Sequence, residues 1–195
     1  MKNVMAAARA GHAAAVAALM ADDDVNPAAN ESQALREAVK AAHSDVVQLL
    51  LTCDAVDPAA RNNAAVGTAS INGDAATLRL LLADPRVDPS VGDNYAIFMA
   101  ARKGFTPVVE LLLADPRVDP AAGDNEALRT AAMTGHLDVV TLLMADARVN
   151  PASQNNFALR WAMRNEHADV VAALLANPHV AAAHAHAPPP AAPRR

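Results

Sequence analysis

The chain repeats itself every 31 residues, and this period constrains its fold more than any other feature. Each unit opens with an Asn-Pro or Asp-Pro pair, whose prolines are Pro27, Pro58, Pro89, Pro120 and Pro151. Each unit closes on a valine, at Val56, Val87, Val118, Val149 and Val180. The units are 26–56, 57–87, 88–118, 119–149 and 150–180, and residues 1–25 fit the end of a sixth unit. A fixed period of this length indicates that each unit is one supersecondary element in a stacked array.

Unit 119–149 shows the first half of the local pattern most clearly. Its opening residues are polar or small and predict an extended loop, after which Asn125 is placed to cap a first helix. The equivalent positions in the other units are Ser32, Asn63, Asn94 and Asn156. Leu128, Ala131 and Ala132 then fall on one face at helical spacing. This half of the unit is therefore predicted as a loop followed by a helix.

A turn and a second helix complete the unit. Gly135 is placed to end the first helix in the left-handed conformation, and the apolar run 137–144 with Asp138 in its first turn predicts the second helix. Ala42 and Glu166 replace the glycine in two units. We expect those turns to be reshaped, since a left-handed non-glycine residue costs roughly 1–2 kcal/mol. A single helix pair cannot bury both of its apolar faces, so neighbouring units must stack into a solenoid.

Composition and charge exclude several classes of protein. The formal charge of −5 argues against a general nucleic-acid binder, and no apolar run is long enough to suggest a membrane span. A single cysteine, Cys53, excludes an internal disulfide framework and a multi-thiolate metal site. Residues 1–21 faintly resemble a targeting segment, but they fall into the repeat register. We therefore expect them to be folded, and the protein to be intracellular and cytoplasmic.

The repeat resembles the ankyrin repeat in its two helices, its Gly-His turn at Gly11-His12 and Gly135-His136, and its Val-Val-x-Leu-Leu second helix. The resemblance covers residues 1–180 and implies an all-α, ankyrin-type solenoid of about six helix pairs. Here the period is 31 instead of 33, so short proline-stiffened loops are expected in place of long hairpins. The Asp-Pro-Arg-Val-Asp-Pro loops are similar to those of arrays in large DNA viruses and single-celled eukaryotes. The family also implies that loop asparagines such as Asn26 and Asn150 are candidates for hydroxylation.

Residues 181–195 leave the period and form an Ala/Pro/His-rich segment, which is predicted to be a disordered tail. Two histidines on such a tail, His184 and His186, form no preorganised metal site. The chain has no phosphate-binding loop and no H-E-x-x-H or G-x-S-x-G motif. The histidines His12, His43, His136 and His167 recur at one turn position, where bonding to backbone groups is the expected role. We therefore expect no enzymatic activity, no metal and no cofactor.

The side of the first helices opposite the core is the candidate binding surface. In ankyrin-like stacks this side lines the concave groove that holds protein partners. At about 100° per residue, the groove residues of the last three units are Tyr95, Met99, Arg102, Glu126, Thr130, Met133, Phe157, Trp161 and Arg164. The set is rich in Tyr, Trp and Arg, the residues that dominate interface hot spots. The first helices of these units also carry five basic residues against Glu126 alone, so an acidic or aromatic-bearing protein segment is the expected partner of the C-terminal half.

Other interpretations stay open at this level. Phe157 and Trp161 are four residues apart, so the two rings could simply pack on each other along the helix. The leading hypothesis is a monomeric, non-catalytic scaffold that presents its groove to a protein partner. The main alternative is an architectural repeat protein that self-associates through its alanine-rich ends, and an enzyme or metal protein is a further rival.

Overall fold

The computed structural model describes residues 3–185 of the chain. Over that range it contains thirteen α-helices and no strand, which confirms the predicted all-α helical-repeat fold class. The helices are α1 (Val4–Arg9), α2 (Ala13–Met20), α3 (Ala29–Lys40), α4 (Ser44–Leu51), α5 (Ala60–Asn72), α6 (Ala75–Leu82), α7 (Val91–Lys103), α8 (Thr106–Leu113), α9 (Ala122–Thr134), α10 (Leu137–Met144), α11 (Ser153–Arg164), α12 (Ala168–Leu175) and α13 (Pro178–Ala185).

The chain divides into two compact units, Met1–Asp119 and Pro120–Arg195. In the first unit, the first helices of successive repeats pack side by side, with α1 on α3, α3 on α5 and α5 on α7. The second helices do the same, with α2 on α4, α4 on α6 and α6 on α8. In the second unit α9 packs on α11 and α10 packs on α12. Within each unit, helices therefore stack on their own counterparts in the next repeat, as the period predicts.

The core uses the same repeat positions each time. The largest fully buried side chains include Leu35, Leu50, Leu78, Leu81, Ile97, Leu112, Leu128, Leu143, Leu159 and Leu174. Burial of each such side chain contributes roughly 1.5–3 kcal/mol. The valines that close the units are buried as well, and so are four of the five unit-opening prolines. The two ends of the repeat are therefore part of its core.

The first turn of α3, α5, α7, α9 and α11 is left-handed. The prediction of an extended loop followed by a capped helix is wrong at this point. In each of α3, α5, α7, α9 and α11 three consecutive residues have φ between 48° and 66°. Such a conformation costs about 1–2 kcal/mol per ordinary residue, and asparagine, aspartate and glycine tolerate it best. The last two positions of the turn are asparagine or aspartate in every repeat except 26–56, which has Glu31 and Ser32. The sequence supplies the residue types that lower this cost.

In four of the five repeats the last residue of the left-handed turn links its repeat to the next one. Asn125, with φ 64°, lies inside the turn, so it does not cap its own helix as predicted. Its Oδ1 instead accepts a hydrogen bond of 2.7 Å from the backbone N–H of Asn150, 25 residues later. The same link joins Ser32 Oγ to Asp57 N (2.7 Å), Asn63 Oδ1 to Asp88 N (2.8 Å) and Asn94 Oδ1 to Asp119 N (2.7 Å). In the last repeat Asn156 Nδ2 donates to the carbonyl of Val180 at 3.0 Å.

The turn between the two helices is left-handed even where glycine is missing. Ala42 and Glu166 have φ of 58° and 61°, so the expectation that these turns are reshaped is wrong. Glycine is required elsewhere because the next repeat places a ring against it: a Cβ on Gly135 would lie 2.6 Å from the ring of His167. For Ala42 the residue equivalent to His167 is Asp74, which has no ring and caps its own helix by accepting from Thr77 N at 3.0 Å. Without a ring to clash with, the alanine needs only to tolerate its backbone conformation.

The Asp-Pro-Arg-Val loops contain a repeated ion pair. Asp115 accepts hydrogen bonds from the backbone N–H of Arg117 at 3.0 Å and from its guanidinium at 2.9 and 2.6 Å. Arg117 Nη1 also donates to the carbonyl of Val87 in the preceding repeat. These hydrogen bonds lower the pKa of the Asp115 carboxyl and raise the pKa of the guanidinium. The loop therefore contributes a second connection between neighbouring repeats.

Helix α13 extends past the last predicted repeat boundary. The tail is predicted to begin at residue 181, whereas the helix continues to Ala185; the remaining residues, 186–195 with His186, lie outside the described range. Proline at the first helical position and a run of alanines both favour this helix. Asn177 accepts from His179 N at 3.0 Å at its start, and the helix packs on α11 and α12.

Candidate protein-binding surface

The predicted groove residues of the first unit lie on α7. Tyr95 is 44% exposed and Arg102 is exposed, but Met99 is only 9% exposed. Met99 was expected on the open side of the helix, and the difference follows from the packing of α5 alongside α7. Tyr95 is therefore the exposed large apolar side chain of this helix.

An open cavity lies beside Tyr95. It has a volume of about 340 Å³ and is lined mainly by apolar groups of α5 and α7, including Ala64, Thr68 and Ile71. The Tyr95 ring lies over Gly67, where an added Cβ would be 3.7 Å from the ring. The first-helix face of this unit thus forms a shallow apolar concavity with one exposed aromatic side chain.

The remaining predicted residues lie on α9 and α11 of the second unit, which pack side by side. Glu126 and Arg164 are exposed, whereas Met133, Phe157 and Trp161 are half-buried. Thr130 was expected to face outward but is only 8% exposed, because its side chain is short and α11 packs alongside. Thr130 therefore offers little surface to a partner.

Five side chains of α9 and α11 form what we call the aromatic–arginine cluster: Arg129, Phe157, Arg160, Trp161 and Arg164. The rings of Phe157 and Trp161 have centroids 5.7 Å apart, so they pack on each other, as the alternative interpretation allowed. The guanidinium of Arg129 lies 4.9 Å from the Phe157 centroid, that of Arg160 lies 5.9 Å from it, and that of Arg164 lies 4.9 Å from the Trp161 centroid. The two rings therefore pack on each other, remain partly exposed and form one surface with the arginines.

Arg129 and Arg160 are members of this cluster that the predicted site omits. Each also donates to a carbonyl of a left-handed turn, Arg129 to Gly123 at 3.0 Å and Arg160 to Gln154 at 3.4 Å. Arg36, at the same repeat position, donates to Asn30 in the same way at 3.0 Å. The signal that could have found them is this recurrence of arginine at multiples of 31 residues.

The cluster arginines form no ion pair with an acidic side chain within the described residues. Elsewhere arginines pair with carboxylates, as Arg86 does with Asp84 at 2.6 Å and Arg9 does with Glu37 at 2.8 Å. In residues 3–185 none of the three cluster guanidiniums lies within 4 Å of a carboxylate. The cluster is thus an aromatic surface with three arginines outside ion pairs, on a chain whose formal charge is −5.

The histidine row has the backbone role expected of it at two positions. His43 Nε2 lies 3.1 Å from the carbonyl of Arg9, and His167 Nε2 lies 3.0 Å from the carbonyl of Met133. Each ring nitrogen must donate, since a carbonyl oxygen only accepts. Among residues 3–185 no group of three or more His, Cys, Asp or Glu side chains could hold a metal ion. In the same part of the chain, every helix is too short or too polar to cross a bilayer.

Comparison with known proteins identifies the family to which this architecture belongs. The family described as Ankyrin repeats (3 copies) matches residues 66–152 and 97–183, which together span more than half of the chain. The ankyrin repeat domain of human ASB11 superimposes with a TM-score of 0.68 at 22% identity, covering 89% of this chain and 82% of that one. An ankyrin repeat domain from Acinetobacter baumannii AYE gives a TM-score of 0.74 at 22% identity, covering 89% and 96% respectively. No curated protein gives a significant sequence match. With its helix pairs, its left-handed turns and this family match, the chain belongs to the ankyrin repeat family.

Proposed function

We propose that the chain is a non-catalytic, monomeric scaffold that binds a protein partner through the first-helix face of its second unit. Ankyrin repeats are generally protein–protein interaction modules. The observation that carries the proposal is the aromatic–arginine cluster, where two half-buried rings and three arginines form one stacked surface on α9 and α11. Aromatic and arginine side chains of this kind supply most of the binding energy at protein interfaces.

The Tyr95 concavity is a second candidate surface for a protein partner, on the first unit. An apolar depression beside a 44% exposed tyrosine is suited to an apolar side chain of a partner. The two surfaces belong to different units, so each is tested on its own.

Selection of short random peptides on the immobilised full chain tests the proposal. Trp161→Thr installs the residue that the preceding repeat has at this position, and Tyr95→Gln installs the residue that the first unit has two repeats earlier, at Gln33. We expect selected peptides to lose about tenfold or more in affinity on Trp161→Thr, equivalent to about 1.4 kcal/mol. The matched control is Met163→Ala, which removes a 49% exposed side chain of the same helix outside the cluster.

Circular dichroism and thermal melting of each variant separate lost binding from lost folding. Peptides that bind wild type and all variants equally would refute a binding site on the first-helix face. Sedimentation of the purified chain over a range of concentrations tests the monomer, and growth of the mass with concentration would favour the architectural alternative.

A further inference from the structure

The guanidiniums of the cluster arginines lie over aromatic rings, 4.9 or 5.9 Å from the ring centroids. A guanidinium that lies over a ring face keeps its edge N–H groups directed away from the ring. Apart from its place over the Trp161 ring, the Arg164 side chain makes no hydrogen bond or ion pair within residues 3–185, and it is exposed. Its donors are therefore available to an acceptor from solvent.

The other two arginines extend this donor set. Arg129 and Arg160 use part of their donors on neutral acceptors, the turn carbonyls and the side-chain oxygen of Gln154. These acceptors are neutral, but Gln154 also donates to the carboxylate of Asp124 at 2.9 Å, so one acidic side chain lies in the same hydrogen-bond network as Arg129. Helix α11 contains no acidic residue, and the one on the helical part of α9 is the exposed Glu126. The surface therefore attracts anions, whereas its guanidiniums would repel a cationic ligand that the rings alone could accept.

The spacing of the cluster arginines defines what kind of anion fits. Arg160 and Arg164 are one helical turn apart, which places their Cβ atoms about 5–6 Å from each other. Arg129 lies on the neighbouring helix, at an interaxial distance of about 8–10 Å. In an extended peptide, side chains at positions i and i+2 point to the same side about 6.5–7 Å apart. Two carboxylates at this spacing can reach neighbouring guanidiniums while a flanking apolar side chain on the same side of the peptide contacts the rings.

We propose that the aromatic–arginine cluster binds an extended acidic segment of a protein partner, with Asp or Glu at alternate positions. This inference rests on the proposed function and specifies the chemistry of the partner. Bidentate guanidinium–carboxylate contacts supply orientation, and the half-buried Phe157 and Trp161 rings supply apolar contact area.

The peptides selected on the wild-type chain also test this proposal. We expect them to be enriched in Asp and Glu at alternate positions and to weaken steeply with added salt. Arg164→Gln should reduce their affinity about tenfold, and Arg164→Lys should recover only part of it, because an ammonium cannot bind a carboxylate with a planar fork. The matched control is Arg79→Gln, the same charge change on an exposed residue of α6 in the first unit, which should change affinity less than about twofold.

The outcomes separate this inference from the proposed function. Peptides that require Trp161 but show no acidic enrichment and no loss on Arg164→Gln would overturn the acidic partner and leave the binding surface in place. Peptides that require neither residue would overturn both. Single-stranded RNA or phosphatidylserine vesicles that bind more tightly than the selected peptides, and lose that binding on Arg164→Gln, would show that the cluster recognises phosphate and would overturn the protein partner.

Discussion

Asn62 and Asn63 form a natural pair for measuring what the link between repeats contributes. Both lie in the left-handed turn of α5, with φ of 59° and 55°. Asn62 is exposed and makes no side-chain hydrogen bond within residues 3–185, whereas Asn63 is 7% exposed and accepts from Asp88 N at 2.8 Å. Replacing each by alanine therefore imposes the same backbone cost, and only Asn63→Ala also removes a link.

The expected magnitudes follow from these contacts. A left-handed alanine in place of asparagine should cost about 1 kcal/mol in Asn62→Ala. Asn63→Ala adds the loss of an acceptor for a part-buried backbone N–H, which costs about 1–3 kcal/mol, for a total of about 2–4 kcal/mol. Asn63→Gly should avoid the backbone cost, because glycine tolerates the left-handed conformation, and should lose only the hydrogen bond from Asp88 N. Asn63→Ser should recover most of the stability, since Ser32 makes the same link at 2.7 Å in the preceding repeat.

Urea unfolding followed by circular dichroism at 222 nm measures these differences in the free energy of unfolding. Repeat arrays can unfold in stages, so the denaturant dependence of each variant must match that of wild type before the values are compared. Equal losses in Asn62→Ala and Asn63→Ala would refute the link as a source of stability. A serine variant as unstable as the alanine variant would show that the acceptor is not what Asn63 contributes.

Three further changes test other contacts. Thr77→Val should raise the free energy of unfolding, measured in urea, by about 1–2 kcal/mol, because the Thr77 hydroxyl is fully buried without a hydrogen-bond partner. The equivalent residue in the other repeats from 26 to 180 is valine, so the site accommodates this side chain. A loss of stability would indicate that the hydroxyl has an internal partner such as water. Gly135→Ala should lower the melting temperature, because the new Cβ clashes with the His167 ring and the alanine must adopt a left-handed backbone. Adding His167→Ala should relieve the clash and leave only the backbone cost, a loss of about 1–2 kcal/mol in the free energy of unfolding. Equal melting temperatures of the single and the double variant would contradict this. Because Arg117 lowers the pKa of Asp115, their contact stabilises the fold above the usual carboxyl pKa of 3.8 and is lost as pH falls through the lowered value. Arg117→Ala should therefore differ most from wild type near neutral pH, and a difference that persists in strong acid would show that the contact with Val87 dominates.

The repeat architecture was predictable because its signals are local and recur. A proline that opens each unit, a valine that closes it and an apolar face at helical spacing identify the helix pairs without any knowledge of their neighbours. The partner of Asn125 was not predictable in this way. An asparagine before a helix is ordinarily a cap for that helix, but Asn125 is left-handed and reaches a residue 25 positions later. The sequence shows that the position matters, and the stacking decides what it contacts.

The exposure of the candidate site was only partly predictable for a similar reason. Helical spacing places Met99 and Thr130 on the side opposite the core, yet both are nearly buried. Spacing within one helix assigns a direction to a side chain, whereas exposure also depends on the neighbouring first helix. Tyr95 remains exposed where Gly67 of the neighbouring helix leaves room for its ring.

The arginines of the cluster connect the turn that shapes each repeat to the surface that we propose as the binding site. Arg129 holds the carbonyl of Gly123 in the left-handed turn of α9 and at the same time lies on the Phe157 ring of α11. A turn that costs energy in every repeat is thus stabilised by the side chains that orient the aromatic surface. In repeats 57–87 and 88–118 the equivalent positions are Gly67 and Phe98, so this contact is missing there and the link from the turn asparagine remains. The aromatic–arginine surface therefore forms where arginine at this position meets an aromatic residue in the next repeat, which explains why it lies on α9 and α11 and not on α5 and α7.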